Sequence, residues 1–298
     1  MTQLESERKA AVTTALSEPM SWRILVCVLL VLGCMGRLQS QTIESGTTTS
    51  PRTVLSGKHW KIRHPPALEA DARKIDGFME KAYSALCDEF AEYGPKKLLE
   101  NVRLTLQLHA KPNDYASTAV MTLHTSYRRD TCNAELHLLA PSKHGAADRT
   151  MVGDPKDDAY FHKTLVHEYA SLFMAQITRK KPKGWRFSKA PNWFIQGYPE
   201  FLSLTRASEF SRKHTLKKYK RMIKDDPNRV DFSFGVEVHD PYTDGAMIVA
   251  FMHDTFGANA LQQALASRES TFGRAITQSL GVDLPKFASK WKQWLAKQ

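Results

Sequence analysis

The spacing of apolar residues changes character along the chain. In residues 68–93, Ile75, Phe78, Met79, Ala82, Tyr83, Leu86 and Phe90 recur every three or four positions, which predicts one long amphipathic helix ended by Gly94 and Pro95. Just before it, residues 59–63 (HWKIR) alternate polar and apolar, as a half-buried strand does, and stop at Pro65 and Pro66. Residues 102–109 (VRLTLQLH) and 134–139 (AELHLL) alternate in the same way, with a similar stretch at 119–125, so three further sheet strands are expected. That alternation puts His109 and His137 on the polar faces of their strands, where a histidine is most often a surface residue.

Beyond residue 160 the period becomes helical, with helices expected over 160–178, 191–207, 209–224 and 242–256 and shorter ones from 258 to the C-terminus. Pro191 suits a first helical turn, and Gly257 suits the position after a helix end, where positive φ costs glycine little. The order predicts an α+β chain, with a mixed-sheet lobe over about 58–150 and a helical lobe over about 151–298.

The N-terminus reads differently. Residues 24–35 form an apolar run of 12, shorter than the roughly 20 residues of a spanning helix. It reads as the core of a signal peptide within residues 1–40, and Met20 offers a better start than Met1 because Met-Ser-Trp-Arg then directly precedes the run. Cleavage after Ser40 gives a secreted or periplasmic domain, while a lipidated Cys34 gives an anchored one. Residues 41–57, rich in Ser and Thr without apolar periodicity, read as a flexible tether. Removal of the leader leaves Cys87 and Cys132, either as a disulfide or as two separate thiols.

Charge alters the picture mainly by its placement. The net charge is +11, and residues 179–229, Arg179 and Arg229 included, hold 15 Lys or Arg against four acids, so the whole excess lies in that segment. Such a segment is either a solvated face or a docking surface for an anionic surface or polysaccharide. Nucleic acid is a poor fit, because the basic run from Arg212 to Lys224 belongs to no recognised module.

Candidate chemistry is concentrated in two segments. Residues 165–171 (LVHEYAS) set His167 and Glu168 inside an apolar helical pattern. A helix bearing His-Glu-x-x-His presents two imidazoles at i and i+4 to zinc and turns the Glu toward the metal-bound water as general base. Here Ser171 stands at the second His position. About 25 residues on, residues 190–202 read APNWFIQGYPEFL, with the form Pro-x-Trp-x-x-Gln-Gly-x-x-Glu-Phe.

Together the segments resemble the gluzincin zinc metallopeptidases, and most closely their peptidase MA-like branch, whose second motif runs Pro-x-Trp-x-x-Glu-Gly-x-Ala-Glu-Tyr. The likeness covers roughly residues 58–298 by order of elements, including a closing Gly281 to Trp291 and Trp294 pattern. It implies a thermolysin-like scaffold, His167 as the surviving zinc ligand and Glu168 as the surviving general base. Ser171 and Gln196 stand where the other two ligands belong. A catalytic zinc takes three protein ligands and a water, so stable zinc is not expected here and Glu168 becomes a base without an activated nucleophile.

Glu200, one turn after Gln196, shares that helix face and is a candidate substitute ligand, although the family carries a Glu there without using it as one. His162, about 140° from His167 around a helix, points elsewhere and is expected at the surface. A serine nucleophile at Ser171 lacks a glycine-flanked elbow. Tyr242, in His239-Asp240-Pro241-Tyr242, falls where related peptidases often have a Tyr or His that stabilises the transition state, but an Asp-Pro turn with a packing Tyr is the favoured reading. The resulting expectation is an exported, catalytically inactive peptidase MA-like domain that binds a protein or peptide partner without a cofactor. The alternative is an active, zinc-dependent metallopeptidase with an atypical or rebuilt site.

Overall fold

A computed structural model describes residues 52–57, 59–112, 122–128, 131–144, 158–180, 183–207, 212–226, 228–232 and 235–298. The expected signal segment, the Met20 start, Cys34 and most of the expected tether lie outside them.

The described chain opens with strands β1 (Thr53–Ser56) and β2 (Trp60–His64), then helices α1 (Glu69–Glu89) and α2 (Pro95–Leu99). Strands β3 (Val102–His109), β4 (Thr122–Arg128) and β5 (Thr131–Leu139) follow. Next come α3 (Asp158–Arg179), α4 (Asn192–Arg206) and α5 (Arg212–Asp225), and a two-stranded ribbon of β6 (Val230–Asp231) and β7 (Glu237–Val238). The chain ends with α6 (Thr243–Phe256), α7 (Ala258–Ala266), α8 (Phe272–Leu280) and α9 (Leu284–Lys297). This is a mixed α/β molecule with its sheet on the N-terminal side.

The large sheet has the order β1-β2-β3-β5-β4, with β2, β3 and β5 parallel and the two edge strands antiparallel to their neighbours. Alternation dictates its two faces. Ile62, Leu104, Leu106, Leu108, Leu136 and Leu138 are buried with Ile75, Met79 and Leu86 of α1 and Leu165 and Leu172 of α3 in the main core. Lys61 and Arg63 alternate outward from β2, as Arg103, Thr105 and His109 do from β3 and Glu135 and His137 from β5.

β1 corrects the expectation of a tether through residue 57: Thr53 pairs with His64 and Ser56 with Lys61. Four residues of strand are too few to stand out from a Ser/Thr-rich stretch, yet β-branched Thr53 and Val54 suit an edge strand. Cys87 and Cys132 are both free thiols, one half-buried and one buried.

Two close joints hold the helical half. An ideal Cβ on Gly197 of α4 would fall 2.3 Å from the Gly245 carbonyl carbon of α6, and one on Gly245 would fall 2.3 Å from the Trp193 oxygen. The two helices therefore cross backbone to backbone, which only glycine permits. α9 starts at Asp283, whose carboxylate accepts the Lys286 amide at 2.9 Å, and buries Phe287, Trp291 and Trp294 around Phe251. These aromatic positions account for the spacing of the two closing tryptophans.

Candidate functional site

α3 is buried on almost every side, so any polar residue in its middle must find a partner within the protein. His167 is 5% exposed and faces α4. Its Nδ1 lies 3.1 Å from Glu200 Oε2, and its Nε2 lies 3.3 Å from Gln196 Oε1. An imidazole that gives its Nδ1 proton to Glu200 keeps only a lone pair at Nε2. The Gln196 contact is then a hydrogen bond either from an imidazolium to the amide oxygen or from the amide NH2 to the imidazole.

Glu200, 4% exposed, is held from three directions. Lys163 Nζ lies 2.5 Å from Oε1, His167 meets Oε2, and Ser203 Oγ lies 3.3 Å from the same oxygen. Burial raises the Glu200 pKa, but the Lys163 ammonium and the His167 hydrogen bond outweigh it and hold the carboxyl down to about 2. Glu200 is thus an ionised partner of two neighbours. It orients His167 as carboxylates orient the ligand histidines of metal sites, and its oxygens are already taken up.

The other expected ligands sit less favourably. Ser171 Oγ donates to the His167 backbone carbonyl at 3.2 Å, a bond within its own helix. It makes no hydrogen bond to the His167 ring, as a serine nucleophile would require. The donors facing one point are therefore a single imidazole nitrogen and a neutral amide, which do not fit a three-ligand zinc centre. Among the described residues no group of three His, Cys, Asp or Glu is placed to hold a metal ion.

Glu168 follows His167 but turns to the sheet side, beside a small recess lined by Met79, Leu104, Leu123 and Leu136. Burial there pushes its carboxyl above the ordinary range, against the lowering effect of His167. The Tyr242 ring is tilted over His167 at 5.7 Å between centroids, and Tyr242 is 46% exposed. Burial raises its phenol, and the nearby negative charges of Glu168 and Glu200 raise it further. The turn that carries it is tied down at Asp244, fully buried, which takes two hydrogen bonds from Arg229 at 3.0 and 3.1 Å and one from the Asp240 amide at 2.9 Å.

His167, Gln196, Glu200 and Tyr242 are thus brought together, while Ser171 turns to its own backbone. His162 departs from the surface placement expected: it is buried and stacked on Phe78 at 6.2 Å, because α3 has no open face at that turn. Lys163 was missed from the sequence. Its signal was the same as that of His167, an ionisable residue one turn away inside an apolar helix.

The basic segment also looks different in three dimensions. Arg179 lies over the Tyr127 ring at 4.1 Å, Lys180 donates to the Lys97 carbonyl at 2.8 Å, and Arg186 donates to the Thr178 carbonyl at 2.7 Å. Arg206 pairs with Glu89, and Arg229 with Asp244. Five of its cations therefore bind the protein itself. No helix among the described residues is long and apolar enough to cross a membrane. No family model matches the chain, and no curated protein matches it.

Proposed function

We propose that the chain is an exported, thermolysin-like peptidase MA-like domain that has exchanged its zinc centre for an internal ion-pair network and acts by binding a peptide or protein. The observation that carries this reading is Lys163–Glu200–His167–Gln196: every group at the expected metal position has a partner inside the protein, and an ammonium supplies the local positive charge. On this reading Glu168 and Tyr242 remain near the network without a metal to activate a water for them.

The docking edge for a peptide is β4, since it pairs with β5 on one side only among the described residues and its Leu123 borders the Glu168 recess. Loss of two ligands removes most of a binding term that is about 10–16 kcal/mol in complete structural zinc sites. Native protein should therefore elute metal-free after equilibration with zinc, and the double variant Ser171→His, Gln196→Glu should take up one equivalent. One tightly held zinc in native protein, with peptide hydrolysis lost on chelation and on Glu168→Gln, would establish the active metallopeptidase instead.

A further inference from the structure

The outward face of the large sheet gathers cations from segments far apart in the sequence. β2 contributes Lys61 and Arg63, β3 contributes Arg103, and α2 contributes Lys96 and Lys97, all five exposed. They line one groove of about 1000 Å³. Among the described residues none of the five forms an ion pair, in contrast to Arg206 and Arg229.

The register explains the arrangement. Lys61 is paired with Thr105, and Arg103 with Asn133, so Lys61, Arg63 and Arg103 share one face. Residues two apart on a strand are about 7 Å apart and adjacent strands about 4.8 Å apart, which sets these three Cα atoms roughly 7–8 Å from their nearest neighbour in the set. Two acids border the groove. Glu135 is engaged by Gln107 Nε2 at 2.5 Å and lies 3.7 Å from His137, so its charge is partly committed, and Glu100 is left as the single exposed acid. Like charge is concentrated enough that Lys97 helps depress the pKa of Lys180, after the larger effect of burial.

We infer that this groove binds a linear anionic polysaccharide. Regularly spaced cations in a concave channel suit a ligand whose charges also repeat along a chain. A bilayer surface is flat and takes apolar anchors as well as charge, whereas the groove is recessed. Single-stranded nucleic acid draws on aromatic platforms. The exposed large apolar residues among those described are Val54, Tyr127 and Tyr242, none of which lines the groove, and Trp60, which does, is 3% exposed with its Nε1 bound to Asp76. The inference shares with the proposed function only the exported setting of the partner. It assigns the anion to a different surface from residues 179–229.

The test uses the full chain and fluorescent heparin, with neutral dextran and oligonucleotides of matched charge as competitors, across a salt series. Reversal at the groove, Lys61→Glu with Arg63→Glu and Arg103→Glu, should weaken heparin binding at least 30-fold. The milder Lys61→Gln, Arg63→Gln, Arg103→Gln set should weaken it about 10-fold and flatten the salt dependence, with an unchanged thermal midpoint showing that the fold is intact. Reversal of Lys217, Lys218 and Arg221 on α5 should change it less than threefold. Loss on the α5 reversal alone would overturn the groove and leave the basic-segment reading standing. No heparin binding, or no effect of either set, would overturn both, and the zinc result would be untouched. Oligonucleotides binding more tightly than heparin, with the same loss on groove reversal, would overturn the polysaccharide in favour of nucleic acid.

Discussion

Within the buried site, Lys163 and Glu200 lie 2.5 Å apart with side chains 4% and 6% exposed. On the outer sheet face, Lys61, Arg63 and Arg103 stand in water without an ion pair among the described residues. The buried charges have every partner they need, so they are informative about stability and offer little to a ligand. The exposed ones cost the fold almost nothing and remain available. Ionisable residues inside an apolar helix are therefore weak evidence of activity when each has found a neighbour, and an unpaired surface cluster is the stronger pointer to a partner.

The largest expected effect tests the buried half of that contrast. Lys163→Met leaves Glu200 buried without its ammonium partner, with only His167 and Ser203 beside it, and should cost about 3–5 kcal/mol in urea unfolding. Adding Glu200→Gln should recover much of it. A single variant within 1 kcal/mol of native would show that the pair is not isolated from water. Next, Gly197→Ala forces a methyl against the Gly245 backbone and should cost about 1–3 kcal/mol or more, since neither helix can yield a side chain.

The pH dependence should separate the two regions. Glu200 titrates near 2 in the fold against 4.5 ordinarily, so its stabilisation is complete above about 4.5 and lost as pH falls toward 2. His109, on the outer face 3.0 Å from His137, is lowered to about 4 by burial, then by His137 and Arg52. Its neutral form is favoured in the fold, so stability falls as pH drops from about 6.5 to 4 while the unfolded chain takes up the proton. His109→Gln should flatten the upper window and leave the lower one, as followed by thermal midpoint against pH. The smallest effect is Lys61→Gln, expected within about 0.5 kcal/mol of native stability. A larger cost would mean that the outer face is part of the packing.

Much of the fold was legible because period and face coincide. The long helix, β3 and the motif helices were expected within a few residues of Glu69–Glu89, Val102–His109, Asp158–Arg179 and Asn192–Arg206. β4 is displaced by three residues from the stretch expected at 119–125, as its Thr- and Ser-rich alternation is weak. In the site, the motif spacing set His167, Ser171 and Gln196 together; His167 and Gln196 meet, and Ser171 turns to its own backbone. The Lys163–Glu200 pair was not legible, because residues 37 apart are joined only by the packing of α3 on α4. The groove was invisible for the same reason: its cations come from three segments that only the sheet register and the placing of α2 bring together.

The contact of Gly197 with Gly245 carries a consequence for hydrogen exchange. A joint made of bare backbone has no side chains to loosen one by one, so α4 and α6 should open as one cooperative unit. Their slowest amides should then share a single opening free energy in native-state exchange. In Gly197→Ala the two helices should part company, with α6 keeping its protection through the Phe251 aromatic cluster and α4 exchanging early, together with the residues that hold His167 in place.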